Sequence, residues 1–544
     1  MKNTAIIYVE DFIEDNSPDD ASGIRAAIQK AIDIQAKIVF FEPRSYILRT
    51  SVDIQTEAIA HDAGSSVETH KACHIPIHGA QNLTLQGATN DKGEPATIFI
   101  GYNDLQIHNY LPAILWCEDS DDLQVNNIAF TRGPEFTSAG VVIANEDDQI
   151  TVEVFPGNPC YDGMGSYCMN RFHPITGALV GESVTYGDGA GDVWRLQGER
   201  LVSLTSSRVA SKVQTGEHVS WHQGARTDFQ TYFANCNQLT LKNLRIYNAN
   251  GFAILTESCH DITADHIVFK PAGNQLFTAP RDAWKIFKCS GNIEVSRMYI
   301  EGVRMDGQNM HSNWLVLVQH TSANEALFFC KYTFAPLQTG SLVELYHEDT
   351  AMAFHITDWS HVSKGDNGNY YRISFDRELP IELKEGALGS AFCWKASRYI
   401  CKDSEFVNIA GAGHLVRYDH LYILNCTYRN TMNPGILLGA ELPVHSEGGH
   451  ASDIVIKGCE FDNCGFFPRY GASGCIGIKS YGFSGKFNRS IIIANNRMKN
   501  APIGIHAVDV DDVYLIGNVF EGIEVPIKQD DQSSGKVWTY GDDI

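Results

Sequence analysis

Leu239-Thr-Leu-Lys-Asn-Leu-Arg-Ile-Tyr-Asn248 is the stretch whose reading decides the fold. It runs apolar, any, apolar, a polar or small pair, one further residue, any, apolar, any, and a closing Asn. The pattern returns as Ile293-Glu-Val-Ser-Arg-Met-Tyr-Ile-Glu-Gly302 and Leu421-Tyr-Ile-Leu-Asn-Cys-Thr-Tyr-Arg-Asn430. It returns again from Ile454 to Asn463, from Ile491 to Asn500 and from Val513 to Gly522, with looser copies near Leu83, Leu123, Ile262 and Tyr399. Period-two alternation marks short strands with one buried face. The polar pair predicts a sharp corner, and the closing Asn or Gly supplies a residue that tolerates the left-handed conformation at the next bend. A strand this short cannot pair within its own repeat, so each copy needs an equivalent above and below. Repeats of roughly 22 to 37 residues without helical periodicity between strands stack into a solenoid. The expected class is all-β, a right-handed parallel β-helix.

Working outward, Asp19-Asp20-Ala21-Ser22 offers helix-capping side chains, and Ile24, Ile28, Ala31 and Ile32 then fall on one helical face. A helix there would cover the open end of the first coil. Two stretches, 146–226 and 313–393, lose the repeat and carry independent β alternation, as in Val343-Glu-Leu-Tyr346 and Tyr370-Tyr-Arg-Ile-Ser-Phe375. They read as two inserted small β-barrel or sandwich modules. The organisation expected is a cap helix and first coils over 1–145, central coils over 227–312, C-terminal coils over 394–528, and a loose tail over 529–544.

The 544 residues include 42 Lys plus Arg against 65 Asp plus Glu, so 42 − 65 gives −23. So acidic a surface repels nucleic acid and anionic lipid and favours a neutral glycan over a strongly anionic one. No apolar run is long enough to span a membrane, and no signal-like core is completed before Glu10. A native N-terminus implies a cytoplasmic protein, and a removed leader implies a secreted or periplasmic one. The 14 cysteines form no CxxC or Cys/His zinc pattern. Cys236, Cys259, Cys289, Cys426 and Cys459 recur beside bends, as buried stacking thiols would. Neither metal nor cofactor is expected.

Candidate chemistry emerges when the coils are aligned on their inward positions. Taking Ile254, Ile286 and Met310 as equivalent places Asn250, Asp282 and Asp306 in one column. The two acids are 306 − 282 = 24 residues apart, one turn of the solenoid, so they should lie about 4.8 Å apart on one face. Like charges that close push one pKa up and share a proton, an arrangement suited to acid/base work on a glycosidic bond. Arg281, Trp284, Lys285, Asn309 and His311 occupy the same coils, giving an aromatic ring, cations and an amide as substrate-binding groups. Asp is also a common turn residue, and on that reading the acids merely cap turns.

The coil series, the two modules and the block from Arg281-Asp282-Ala283-Trp284 to Met305-Asp306-Gly307-Gln308-Asn309-Met310-His311 resemble glycoside hydrolase family 110. That family comprises inverting α-1,3-galactosidases. The resemblance implies that Asp282 matches the first catalytic aspartate and Asp306 the second member of an Asp-Asp pair. Asn309 and His311 match the Asn-x-His that follows. Ser446-Glu447-Gly448 resembles a Glu-Ser-Gly element and makes Glu447 a candidate sugar ligand. Met305 stands where the family has the first Asp of the pair, and a thioether cannot exchange the needed proton. Glu441, Glu447 and His311 are candidate substitutes for that missing acid. The resemblance implies an exo-acting hydrolase releasing an α-linked, galactose-like terminal sugar from an oligosaccharide or polysaccharide, with Asp282 and Asp306 activating water. A lyase using Lys285 as base, a glycosyl transferase, and a non-catalytic glycan-binding solenoid are the alternative readings, and the exposed inserts leave a homodimer open.

Overall fold

The computed structural model describes residues 6–54, 72–102, 111–189, 191–224, 229–348, 350–469, 471–483, 485–530 and 536–542. Its body is a right-handed parallel β-helix in which each coil contributes short strands to stacked parallel columns. The first residue of the repeat sets the register. Leu83 pairs with Leu123, Leu239 with Ile262, and Ile262 with Ile293. Ile293 then pairs with Tyr399, Tyr399 with Leu421, Leu421 with Ile454, Ile454 with Ile491, and Ile491 with Val513. All of these side chains are buried in one continuous apolar core.

The corners follow the sequence logic. The closing residues Asn248, Gly302, Asn430, Asn463, Asn500 and Gly522 have φ of 48, 67, 55, 55, 56 and 61°. The side chain of Asn463 donates to Asn430 Oδ1 at 3.1 Å, and Asn430 donates to Asn408 Oδ1 at 3.2 Å. Such a ladder satisfies amides that a solenoid buries at every turn. Aromatic rings stack in the same way, Phe406 on Tyr428 and Tyr428 on Phe461, each with centroids 4.9 Å apart. The 14 cysteines are all free thiols, most of them buried.

The helix Ala21–Asp33 turns Ala21, Ile24, Ala27, Ile28 and Ala31 onto the first coil. The second insert is a closed six-stranded antiparallel barrel between Leu315 and Ala391 with its own core. The first is a seven-stranded antiparallel sheet built around Trp194 and Trp221. It takes in the strand Thr137–Glu146, so the module starts ahead of residue 146.

Two expectations are corrected. The C-terminal stretch is not a loose tail: Val537–Tyr540 pairs with Val513–Ile516, because Val-Trp-Thr-Tyr repeats the period-two alternation one coil further on. Asp542 then accepts from the Asn518 backbone and side chain at 2.6 and 2.9 Å, replacing the Asn of the earlier turns. Ile254 is opposite Trp284 rather than Ile286, so Asn250 falls two residues out of the Asp282 column.

Candidate active site

Trp284–Phe287 and Gln308–Asn313 run side by side, with Trp284 opposite Gln308, Lys285 opposite Asn309, Ile286 opposite Met310 and Phe287 opposite His311. This register carries Asp282, at the corner before its strand, against Asp306 on the next rung. The Asp306 backbone N–H donates to Asp282 Oδ1 at 3.1 Å, and Asn309 Nδ2 donates to Oδ2 at 3.3 Å. On the following rung the Ala412 N–H donates to Asp306 Oδ1 at 2.7 Å. A Cβ at Gly411 would lie 2.5 Å from Asp306 Oδ1 and from the Met305 carbonyl, so only glycine lets this rung close on the acid. Asp282 is 2% and Asp306 7% exposed, so both carboxyls are nearly withdrawn from solvent.

Alternate residues of these strands point outward. Lys285 Nζ lies 5.3 and 5.6 Å from the Phe252 and Phe287 ring centres, and Arg281 Cζ lies 4.6 Å from that of Phe252. His311 sets Nδ1 2.8 Å from the Ser312 carbonyl and Nε2 3.6 Å from Glu447 Oε1. Glu447 arrives from a distant part of the chain: Glu447–Gly448 adds antiparallel to Ser312–Asn313. Arg417 Nε donates to Glu447 Oε2 at 2.9 Å.

One residue expected at the site is not brought there, and a second, Glu441, reaches it through its backbone alone, its N–H donating to the Glu447 carbonyl at 3.0 Å. Trp284 alternates inward with Ile286, is fully buried in the solenoid core, and donates through Nε1 to Thr256 Oγ1 at 3.2 Å. It offers a sugar no face. Glu441 turns its carboxylate onto its own loop, accepting the Val444 and His445 N–H groups at 2.7 Å each.

The electrostatics separate the acids. Burial and the neighbouring Asp282 and Glu447 carboxyls raise the Asp306 pKa to about 8, against the opposing pull of the Ala412 N–H and Arg417. Burial also raises Asp282, opposed by Arg281, Lys285 and the Asp306 N–H. Two stacked carboxyls so placed hold a proton at neutral pH. Glu447 goes the other way: burial disfavours its charge, but His311, Arg417 and Lys285 together hold it well below the usual range. Burial drives His311 down to about 3. With that imidazole neutral, Arg417 at 2.9 Å is the partner that keeps Glu447 ionised.

Arg417, Phe252 and Tyr186 join this cluster without having been singled out in the sequence. Arg417 follows Val416, which pairs with Met310, so it stands beside His311. The barrel between the two rungs hides that spacing. Tyr186 belongs to the first module, where no coil register exists. The residue as a whole is 43% exposed although its hydroxyl is turned inward, and Arg469 Cζ lies 4.2 Å from the ring centre. Its hydroxyl feels the site: burial raises its pKa to about 12, with Arg469 and Arg281 pulling it down and Asp306 and Asp282 pushing it up.

A solenoid groove floored by paired carboxyls and rimmed with cations, amides and a phenol is the equipment of a carbohydrate-active enzyme. Relatives give the narrower class. The chain is 21% identical over 490 residues to α-1,3-galactosidase A of Bacteroides fragilis, covering 85% of this chain and 77% of that protein. It is 22% identical over 319 residues to α-1,3-galactosidase B of Phocaeicola vulgatus, covering 53% and 52%. No family model matches the chain. Among solved structures, an exopolygalacturonase from Thermotoga maritima aligns with 99% of this chain and 92% of its own at 10% identity, with a TM-score of 0.44. The resemblance to glycoside hydrolase family 110 therefore extends beyond the motifs to most of the chain, and the protein is a glycoside hydrolase in type.

Proposed function

We propose that the protein is an inverting exo-glycosidase that removes an α-linked terminal galactose-like sugar. The carrying observation is geometric: Asp282 and Asp306 stack on adjacent rungs, and Glu447, paired with Arg417, is brought beside them through His311. Inversion needs an acid and a base separated by roughly 6.5–9.5 Å across the sugar. Adjacent rungs are too close for that, so Asp282 and Asp306 act together on one side. The protonated Asp306 gives its proton to the glycosidic oxygen as the C1–O bond breaks, which supplies the group that Met305 cannot. Glu447 takes a proton from water as the water oxygen bonds to C1 with inverted configuration. Lys285 and Asn309 hold Asp282 and the sugar hydroxyls. The near-sealed floor suits a chain end rather than the middle of a polymer, and the linkage assigned follows the relatives' α-1,3-galactosidase activity.

The experiment is incubation with α-linked oligosaccharides, α-1,3-galactosides among them, followed by proton NMR of the first-formed sugar. Release of the β-anomer, lost in Asp306→Asn, is the expected result. Release of the α-anomer would reject inversion. No release from any substrate, or an Asp306→Asn variant as active as wild type, would reject the assignment as a whole.

A further inference from the structure

A second cavity, of about 150 Å³, lies where the barrel meets the solenoid. Tyr346 of the barrel and Phe487 of the solenoid pack edge to face in its wall, with ring centres 5.1 Å apart. His450, three residues after Glu447, packs 4.7 Å from Phe487 and 5.0 Å from Tyr346. It is 5% exposed and meets Ser480 Oγ through Nδ1 at 2.9 Å. Its Nε2 is buried with no hydrogen-bond partner among the described residues, in a residue that lines the cavity. Such a nitrogen calls for a donor or acceptor from a ligand or water.

The remaining wall selects the ligand. Asp419 is held by Lys395 Nζ at 2.8 Å, and Asp453 faces His420 Nδ1 at 3.4 Å. Each carboxylate keeps lone pairs for further hydroxyl donors. With Glu344 there are three carboxylates in the lining against Lys395 and Arg489, which disfavours an anion. Aromatic rings for the C–H face of a pyranose, carboxylates for its hydroxyls and room for a single ring describe one ligand class. We propose that this cavity is a non-catalytic subsite for one neutral sugar unit, separate from the reaction at Asp282 and Asp306.

The test titrates D-galactose into full-length Asp306→Asn protein by calorimetry and repeats it with Ala351→Trp added, which fills the cavity from its barrel wall. Two binding events are expected, one of them lost with Ala351→Trp. In the wild-type background Ala351→Trp should leave turnover of a short substrate within twofold. Phe487→Ala should weaken the same event at least tenfold while circular dichroism shows the fold retained. A single event abolished by Ala351→Trp would support this subsite and count against sugar binding at the carboxyl pair. Binding that neither Ala351→Trp nor Phe487→Ala alters, or no binding at all, would overturn the subsite.

Discussion

At the scale of the residue, Asp306 gathers the most consequences. Its carboxyl is raised because its rung-mate is another carboxyl and its surroundings are dry. An acid that must be protonated to act gives activity that falls as pH rises past about 8, so the basic limb of kcat/KM should lie there. Asp306→Asn should lower kcat by about 10²–10⁴, the usual worth of general acid–base catalysis. Stability gives an independent reading. The folded pKa lies above the unfolded value near 3.8, so the folded state binds the extra proton between about pH 4 and pH 8. Wild-type stability should therefore decline across that window and level off above it, whereas Asn cannot ionise. The Tm of Asp306→Asn minus that of wild type should climb from pH 4 to pH 8 and then flatten. A difference flat in pH would mean that Asp306 is ionised throughout. Glu447 is held ionised, so it sets no limb near neutrality. Arg417→Met would remove its counter-charge, and an acidic limb should then move upward into the measurable range.

At the scale of the element, the corner of each coil is the unit that specifies the fold. Asn430 adopts φ 55° and links Asn408 to Asn463 through its amide. Asn430→Ala loses both the amide bonds and the tolerance of that conformation, whereas Asn430→Gly loses only the bonds. The alanine variant should be the less stable by about 1 kcal/mol, measured as the difference in thermal unfolding. If glycine were the worse, the left-handed conformation would not be what disfavours alanine at this corner. The same corners explain what could be read beforehand. A residue that must be Asn or Gly every coil leaves a mark in a single sequence, and so do inward aliphatics at fixed offset; hence Leu83 through Val513 fell into one column. Asp282 and Asp306 were legible for that reason, being uninterrupted neighbours 24 residues apart. Trp284 was misassigned because composition says nothing of which way a strand residue points, and alternation from Ile286 sends it inward. The Ile254 alignment failed by two residues at a coil of different length. Arg417 and Ala412 lie one rung from the pair but beyond the barrel, where no sequence offset is informative.

At the scale of the whole molecule, the question is how a solenoid with an open flank makes a pocket. The coils supply the carboxyl pair, and the first module brings Tyr186 within electrostatic reach of it. The first module joins the coils through an apolar cluster of Phe172, Leu179, Phe277, Ala410 and Met432, through hydrogen bonds such as Leu179 N–H to Asn408 Oδ1, and through one buried cation close to the acids. Arg304, 1% exposed and two residues before Asp306, donates through Nη1 to Asn170 Oδ1 at 2.8 Å and through Nη2 to Ser220 Oγ at 3.1 Å. Its Cζ lies 3.9 Å from the centre of the Phe277 ring. Both acceptors belong to the module that carries Tyr186 to the carboxyl pair. Hydrogen bonds from a charged donor contribute about 1.5–3 kcal/mol each, and methionine would replace the volume without the bonds. Arg304→Met should therefore loosen the module and leave the coils folded. Limited proteolysis should cut within 137–222 before it touches the solenoid. If the module positions Tyr186 to bind substrate, turnover should fall at least tenfold through a raised KM rather than a lowered kcat. If cleavage resistance and KM both stay at wild-type values, the module is an ornament on the solenoid rather than a wall of the pocket, and the closure that the proposed exo action requires must come from elsewhere.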